Sequence, residues 1–395
     1  MILRSKWVVD RKLNIHANGI VDTGGPREEL DLGEAILMPG LVNAHCHLEY
    51  TEMRWKIAPP RGFTQWIEQI TAIKRSWNEA DYVRSLDLGM REALEFGTTC
   101  MGNWICLPQL VSRIQLSPMR VWWFWEQIAF RANNELPDWD KWPEQVSKRS
   151  DYWVAALSPH APYTCREEIV KKIREWSEQR ALPWSIHVAE SQDENAMFER
   201  GEGGLFELLK KSGRPMDDCH GMTPFQWLMP QLKAATSSVL LVHGNTLAQQ
   251  DLDCLKKLSR RSKPWISIAY CPRSRRYFTH PEFPLQECVR RGIHVCLGTD
   301  SLASNSNLSL FEEMNLVAKL WAKGTDRDLV EMATIHGARA LGVSQREWEA
   351  WQDWIAIPCK TSDRKIIWRA ISHFTGKPFF VMINGQIIFK RDDLK

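Results

Sequence analysis

The chain has 395 residues, of which 44% are hydrophobic and 25% charged, and its formal net charge is +3. That length holds one large domain with a small one beside it, or two medium ones, and the composition is that of a globular protein. No lysine or arginine run is dense enough to argue for nucleic acid, and no apolar stretch reaches the roughly 18 residues of a membrane span. Met1 to Lys12 mixes polar and apolar residues and lacks the apolar core of a signal peptide. The ten cysteines form no CxxC pair. Cys100, Cys271 and Cys296 lie in apolar runs, which reads as reduced core thiols in a cytoplasmic protein. The twenty tryptophans read chiefly as core, with any exposed fraction a candidate homodimer interface.

Along the chain, short apolar strands alternate with longer helical patterns. Ile2–Val9, Leu13–Val21 and the region before Ala35 read as short N-terminal strands. Eight further strands are predicted over Ala35–Ala44, Thr98–Trp104, Arg120–Trp125, Trp153–Leu157, Pro183–His187, Val239–His243, Trp265–Ala269 and Ile293–Gly298. Phe63–Arg75 and Tyr82–Glu95 are helical and precede the second of these. Thr164-Cys165-Arg166-Glu167 has the form of a capping box opening a helix to Ser177. Pro284 can start a helix that stops at Gly292. Leu308–Lys323 and Asp328–Leu341 are helical and follow the last strand. Phe379–Ile383 and Gln386–Phe389 bracket Asn384-Gly385, a type I′ hairpin signal.

The eight strands read as continuous apolar runs, as parallel strands covered on both faces do. Eight strand–helix units fit an α/β fold of the (β/α)8 TIM-barrel type. An open doubly wound sheet fits less well, because no GxGxxG follows the first strand and polar residues end many different strands. The terminal segments, residues 1–38 and 345–395, are expected to pair into a small β-sandwich beside a barrel of residues 39–344.

His45 and His47 flank Cys46 at the end of the first of the eight strands. Alternate strand residues share a face, so the two imidazoles point the same way and make half of a metal site. His187 ends the fifth strand and can be a third nitrogen ligand. Glu190 lies just past it, where it can reach a metal-bound water without binding metal. His243 ends the sixth strand, and Asp300 follows the eighth, a carboxylate that is costly at a barrel mouth unless paired or metal-bound. Three histidines and a carboxylate suit one divalent ion, Zn²⁺ or alternatively Fe²⁺. Such an ion lowers the pKa of bound water toward about 7. Glu190 would then move the water proton to the leaving group, with His243 and Asp300 orienting the attacking oxygen.

With these pieces in place, the chain resembles the amidohydrolase superfamily, in its cytosine-deaminase, atrazine-chlorohydrolase and adenosine-type aminohydrolase branch. The matching segments are Pro39 to His47, Gly97-Thr98-Thr99, Ser158 to Tyr163, His187 to Glu190, His243, Leu297 to Ser301 and Thr334 to Gly342. The resemblance implies a mononuclear metal on His45, His47, His187 and Asp300, with Glu190, His243 and Asp300 catalytic. It implies substrate contact by His160 and Ser301. Binuclear relatives bridge their metals with a lysine on the fourth strand; Trp153 to Ser158 offers none, which argues for one metal.

Pocket loops bear on the substrate. His47 to Tyr50, Gly62 to Ile67, Cys271 to Ser274 with Tyr277-Phe278, and Asp300 to Asn305 resemble aminodeoxyfutalosine deaminases of menaquinone synthesis. That implies a 6-aminopurine nucleoside-like, small heteroaromatic substrate, with Arg273 pairing a substrate carboxylate. The competing reading is hydrolysis of another C–N or C–Cl bond on a heteroaromatic ring, and a third is a catalytically silent scaffold. Glu347 to Trp354 depart from the family pattern, as does the short segment before His45.

Overall fold

In the computed structural model, which describes residues 1–391 except 25–27, 59–61, 132–133, 220, 260–264 and 322, the strands divide between two sheets. The N-terminal strands β1 (Ile2–Val9), β2 (Ile15–Asp22) and β3 (Glu29–Asp31) lead to β4 (Ala35–Pro39). β1 pairs antiparallel with β2 and parallel with β3 and β4.

The apolar run from Ala35 to Ala44, expected as one strand, is two strands in different sheets. β5 (Leu41–Cys46) leaves the terminal sheet and opens the barrel. Gly40 is the break. A Cβ there would collide with the side chain of Thr99, so this close passage admits only glycine. Both halves are fully buried, and hydrophobicity therefore carries no trace of the division.

β6 (Thr98–Ile105), β7 (Arg120–Gln127), β8 (Trp153–Pro159), β9 (Trp184–Val188), β10 (Val239–His243), β11 (Ile266–Tyr270) and β12 (His294–Leu297) follow. All neighbours in this eight-stranded sheet are parallel and in chain order. The sheet curls until its ends meet. The amides of Thr299 and Asp300 both donate to the His45 carbonyl, at 3.0 and 3.1 Å, nearly closing an α/β barrel.

Helices α1 (Phe63–Ser76), α2 (Glu79–Glu95), α3 (Trp142–Ser147), α4 (Glu167–Gln179), α5 (Gln192–Arg200) and α6 (Gly204–Lys211) lie in the first connections. The expected capping box at α4 does not form. Arg166 is the N-cap without a side-chain bond, and the Thr164 hydroxyl is bound elsewhere. The helix expected over Asp328–Leu341 is two, Asp326–Met332 and Ile335–Ala340.

β13 (Trp354–Pro358), β14 (Phe380–Ile383) and β15 (Gln386–Lys390) complete the terminal sheet. It is one seven-stranded mixed sheet. Asn384 and Gly385 both have positive φ, 52° and 75°, as the type I′ turn requires.

Tryptophan fills the interior. Trp104, Trp123, Trp142, Trp184 and Trp348 are fully buried, whereas Trp55 is 77% exposed. No helix among the described residues is long and apolar enough to cross a membrane, and all ten cysteines are unpaired.

The two sheets are joined through a buried ion cluster. The Asp353 carboxylate is fully buried, accepts from Arg120 Nε at 2.9 Å and from the Asn384 amide at 2.9 Å. Its backbone oxygen accepts from Arg11. Burial pulls the Arg11 guanidinium down to about 10, and it lies over Trp348 and Trp354, at 4.6 and 5.0 Å. Asp353→Ala would leave these guanidiniums buried without their counter-charge. The expected cost is about 3–5 kcal/mol, read as a fall in unfolding free energy by urea titration.

Candidate active site

The strand ends deliver the predicted residues to one place. His45 lies within β5 and His47 just beyond it, His187 lies in β9, His243 ends β10, and Asp300 follows β12. Ala189, His243 and Asp300 have positive φ of 53°, 73° and 57°. They are three of nine described non-glycine residues in that region, and strained backbone of this kind collects at functional sites. Each bend turns the chain across the barrel mouth.

Three imidazole nitrogens converge. His187 Nε2 is 3.3 Å from His45 Nε2 and 3.4 Å from His47 Nε2. Asp300 Oδ1 is 3.6 Å from His45 Nε2. Ligands about 2.05 Å from a tetrahedral zinc ion are about 3.3 Å apart, so these spacings fit a shared ion. Ligand atoms of His45, His47 and Asp300, and likewise of His45, His187 and His243, lie within 4.8 Å of one another. His187 Nδ1 donates to the His160 carbonyl at 2.8 Å. In the neutral ring that leaves a bare lone pair on Nε2, aimed at the centre.

Burial sets the charges. It drives His47 and His187 well below the usual imidazole value, helped by the neighbouring imidazoles. Burial lowers His45 too, against the opposing pull of Asp300. Neutral imidazoles are what a cation needs. Asp300 is held well below the usual carboxylate range. Burial works against this, and attraction to the surrounding imidazoles, His45 first, outweighs it. Ser274 Oγ (2.5 Å), the Ser301 amide (2.7 Å) and Ser304 Oγ (3.1 Å) also donate to Asp300.

Glu190 Oε1 is 3.5 Å from His243 Nε2. Burial raises its carboxyl well above the usual range, and the charges of Asp300 and Glu194 add to this. Its backbone is pinned by the Glu194 carboxylate, which accepts from the Glu190 amide at 2.8 Å, and by Asn245 Nδ2, which donates to the Glu190 carbonyl at 3.0 Å. A buried carboxyl that readily holds a proton beside a histidine is suited to acid–base work.

Above the histidines lies a cavity. His160, Ser301, Glu190 and His243 line it. One face of α1 (Phe63, Trp66, Ile70) and α6 (Leu205, Leu208) supply an apolar wall. His160 Nδ1 and Thr164 Oγ1 are hydrogen-bonded at 2.6 Å, and Thr164 Oγ1 also meets Ala161 O at 3.3 Å.

Arg273 stands apart. It does not line this cavity; its guanidinium is bound by Asn307 Oδ1 (2.6 Å), Glu312 (3.2 Å) and Glu313 (4.0 Å). These local acceptors occupy the guanidinium expected to meet a substrate carboxylate. The sequence reading also passed over Glu126 and Lys74, which do line the cavity. Glu126 carried a usable signal, because it follows the apolar run Val121 to Trp125 at a strand end, as His187 does. Lys74 sits on a helix and carried none.

Residues 36–346 match the amidohydrolase family. The chain belongs to that family. It is thereby placed among hydrolases of carbon–nitrogen bonds. A 5'-deoxyadenosine deaminase of Methanopyrus kandleri is 27% identical over 317 residues, covering 74% of this amidohydrolase and 64% of that protein. A 5-methylthioadenosine/S-adenosylhomocysteine deaminase of Nitratidesulfovibrio vulgaris is 28% identical over 407 residues, 95% of this chain and 86% of the relative. The crystal structure of Helicobacter pylori aminofutalosine deaminase in complex with methylthio-coformycin has a TM-score of 0.80. It is 18% identical and covers 98% of this chain and 100% of that one; at that identity the likeness is one of fold.

Burial lowers His160 and His243 to about 3. Both rings of this amidohydrolase should therefore stay neutral on acidification from about pH 8 to about pH 5, whereas an exposed imidazole titrates near 6.5. Ring ¹⁵N shifts of the metal-free protein, followed by long-range proton–nitrogen correlation, would check this.

Proposed function

We propose that this protein is a metal-dependent aminohydrolase that removes the exocyclic amino group of a 6-aminopurine nucleoside-like substrate, aminodeoxyfutalosine among the candidates. The observation that carries the reading is the convergence of three imidazole nitrogens and the Asp300 carboxylate beneath an apolar-walled cavity, with Glu190 and His243 beside them. The names of the relatives, all deaminases of adenine-type compounds or an aminofutalosine, support the substrate class. In this proposal residues 39–344 form the barrel domain that carries the site, and residues 1–38 and 345–395 form the β domain beside it.

His45, His47, His187 and Asp300 would hold one divalent ion, and this nitrogen-rich donor set favours zinc over iron. That ion, when bound, supplies Lewis acidity and makes a water acidic enough to react near neutral pH. The apolar wall from α1 and α6 packs the flat ring and excludes other water. Glu190 accepts one water proton at its carboxylate and passes it to the departing amine, while the other water proton ends on the ring nitrogen of the product. His243 donates or accepts beside it, and His160 Nε2 and Ser301 contact the substrate. The unpaired state of all ten cysteines accords with a reducing compartment such as the cytoplasm.

Asp300→Asn and His187→Ala should bring bound zinc well below one equivalent per chain, measured by elemental analysis after zinc loading. Glu190→Gln should keep one equivalent and lose turnover by about 10²–10⁴-fold. The functional reading itself is tested by ammonia release from zinc-loaded protein given aminodeoxyfutalosine, adenosine, methylthioadenosine, guanine, cytosine or an aminotriazine. Selective turnover of the adenine nucleosides supports the proposal. Preference for cytosine or the triazine would move the substrate to another heteroaromatic ring, and silence with metal bound would overturn it.

A further inference from the structure

The loops after β11 and β12, expected from the sequence to meet substrate, send two serines to Asp300. Ser274 lies in the short helix Pro272–Tyr277 that follows β11, and Ser304 lies four residues beyond Asp300. Both are buried. Ser274 Oγ donates to Asp300 Oδ2 at 2.5 Å, Ser304 Oγ meets the same oxygen at 3.1 Å, and the two hydroxyls are 3.0 Å apart. The other oxygen, Oδ1, accepts from the Ser301 amide at 2.7 Å and stands 3.6 Å from His45 Nε2. An ionised carboxylate has about four acceptor positions, two on each oxygen. Both positions on Oδ2 and one on Oδ1 are taken. The position left free is on the oxygen that faces His45.

A brace keeps the serines there. Glu313, on the helix Leu310–Leu320, is fully buried. Its Oε2 accepts from the Arg273 amide at 2.9 Å and its Oε1 from Asn305 Nδ2 at 2.8 Å. Arg273 adjoins Ser274 and Asn305 adjoins Ser304, so one carboxylate ties the two serine-bearing segments together. Asn305 Nδ2 also donates to the Thr299 carbonyl at 2.8 Å, beside Asp300. β11 supplies none of the four proposed metal ligands, yet this arrangement makes its end part of the site.

We propose that Ser274 and Ser304 are positioning residues: they occupy Asp300 Oδ2, leave one oxygen for the ion, and so favour zinc over ions that take more oxygen ligands. The proposal rests on the metal-dependent aminohydrolase reading and deepens it. Zinc takes four or five ligands, whereas manganese favours six, mostly oxygen. With His45, His47 and His187, a carboxylate offering one oxygen suits the smaller set. Without the two hydroxyls, Asp300 is free to turn its second oxygen inward and bind through both. That change costs zinc the orientation of a ligand and gives manganese a further donor.

The test measures binding of each metal alone to the metal-free protein, zinc by competition with a chromophoric chelator and manganese by electron paramagnetic resonance of the free ion. In Ser274→Ala and Ser304→Ala, and most in the double variant, the zinc Kd is expected to rise about 10–100-fold. The manganese Kd should rise less, so that the preference for zinc over manganese falls about tenfold. Ser274→Cys keeps the size of the side chain with a weaker donor. It should fall between Ser274→Ala and the wild type, and it carries the test if loss of the hydroxyl prevents folding. An unchanged zinc Kd in the double variant overturns the proposal. So does an equal weakening of both metals, which mere loosening of the loops would give. A wild type that binds no zinc overturns the metal-dependent reading and this proposal with it. Because no substrate enters the measurement, a wild type that binds zinc and fails to deaminate overturns the substrate reading alone.

Discussion

Everything at the barrel mouth depends on the seam where the first and last barrel strands meet. The His45 carbonyl accepts from the Thr299 and Asp300 amides at 3.0 and 3.1 Å. Asn43 bridges the same gap, its Nδ2 donating to Thr299 Oγ1 at 2.7 Å and its Oδ1 accepting from the Thr299 amide at 3.1 Å. Gly298 permits the approach, because a Cβ would lie 2.8 Å from the His45 carbonyl oxygen and 2.9 Å from its Cβ. Two segments from distant parts of the chain thus share one backbone junction, and the His45 imidazole and the Asp300 carboxylate project from it. Strand closure and ligand placement are one event. Trp104 supports it from below, with its ring edge-on to His45 at 4.2 Å and its Nε1 bonded to Ser158 Oγ at 2.9 Å.

The seam also explains the electrostatics. A group of imidazoles packed this tightly cannot carry several positive charges, and burial removes the water that would stabilise even one. The rings therefore stay neutral, and their lone pairs are left to face one another. His45 Nδ1 and His47 Nδ1 have no hydrogen-bond partner in the structure. A cation bound between the converging Nε2 atoms would use their lone pairs, and Asp300, held well below the usual carboxylate range, supplies the matching negative charge. The fold has assembled imidazoles and a carboxylate around a common point, a donor set that could hold a metal ion.

Much of this was legible in the sequence because barrel strands announce themselves twice, as apolar runs and by the polar residue that ends each run. His47, His187, His243 and Asp300 all carry that second mark, and the structure brings them together. Glu126 carries it too, after four aromatic residues in the span from Trp122 to Trp125, but a single glutamate beyond an apolar run reads as ordinary solvation. What the sequence could not show depends on distant partners. Gly40 divides an unbroken apolar run because Thr99 lies against it. Thr164 resembles a helix cap and instead holds His160. Arg273 sits in a loop beside the site, yet Glu312 and Glu313, arriving from a helix forty residues on, turn it away from the cavity.

The residues that shape the cavity come from different elements than those that carry the chemistry. Strand ends hold the imidazoles and carboxylates at positions fixed by the sheet, whereas α1 and α6 provide the wall. Along α1, Phe63, Trp66, Ile70 and Lys74 recur at helical spacing on one face, so a single helix runs from an apolar contact surface to a buried ammonium. Burial alone would neutralise Lys74; the surrounding Cys106, Glu49 and Glu126 reverse this and raise it above its ordinary value. The helix face therefore grades the cavity from an aromatic end to a charged one beside the histidines. Changes to α1 can reshape the cavity without disturbing the seam, because the contacts that close the barrel at Asn43, His45, Thr299 and Asp300 do not involve α1. The strands thus hold the polar groups and the helices shape the cavity, a division by which one barrel can serve many ligands.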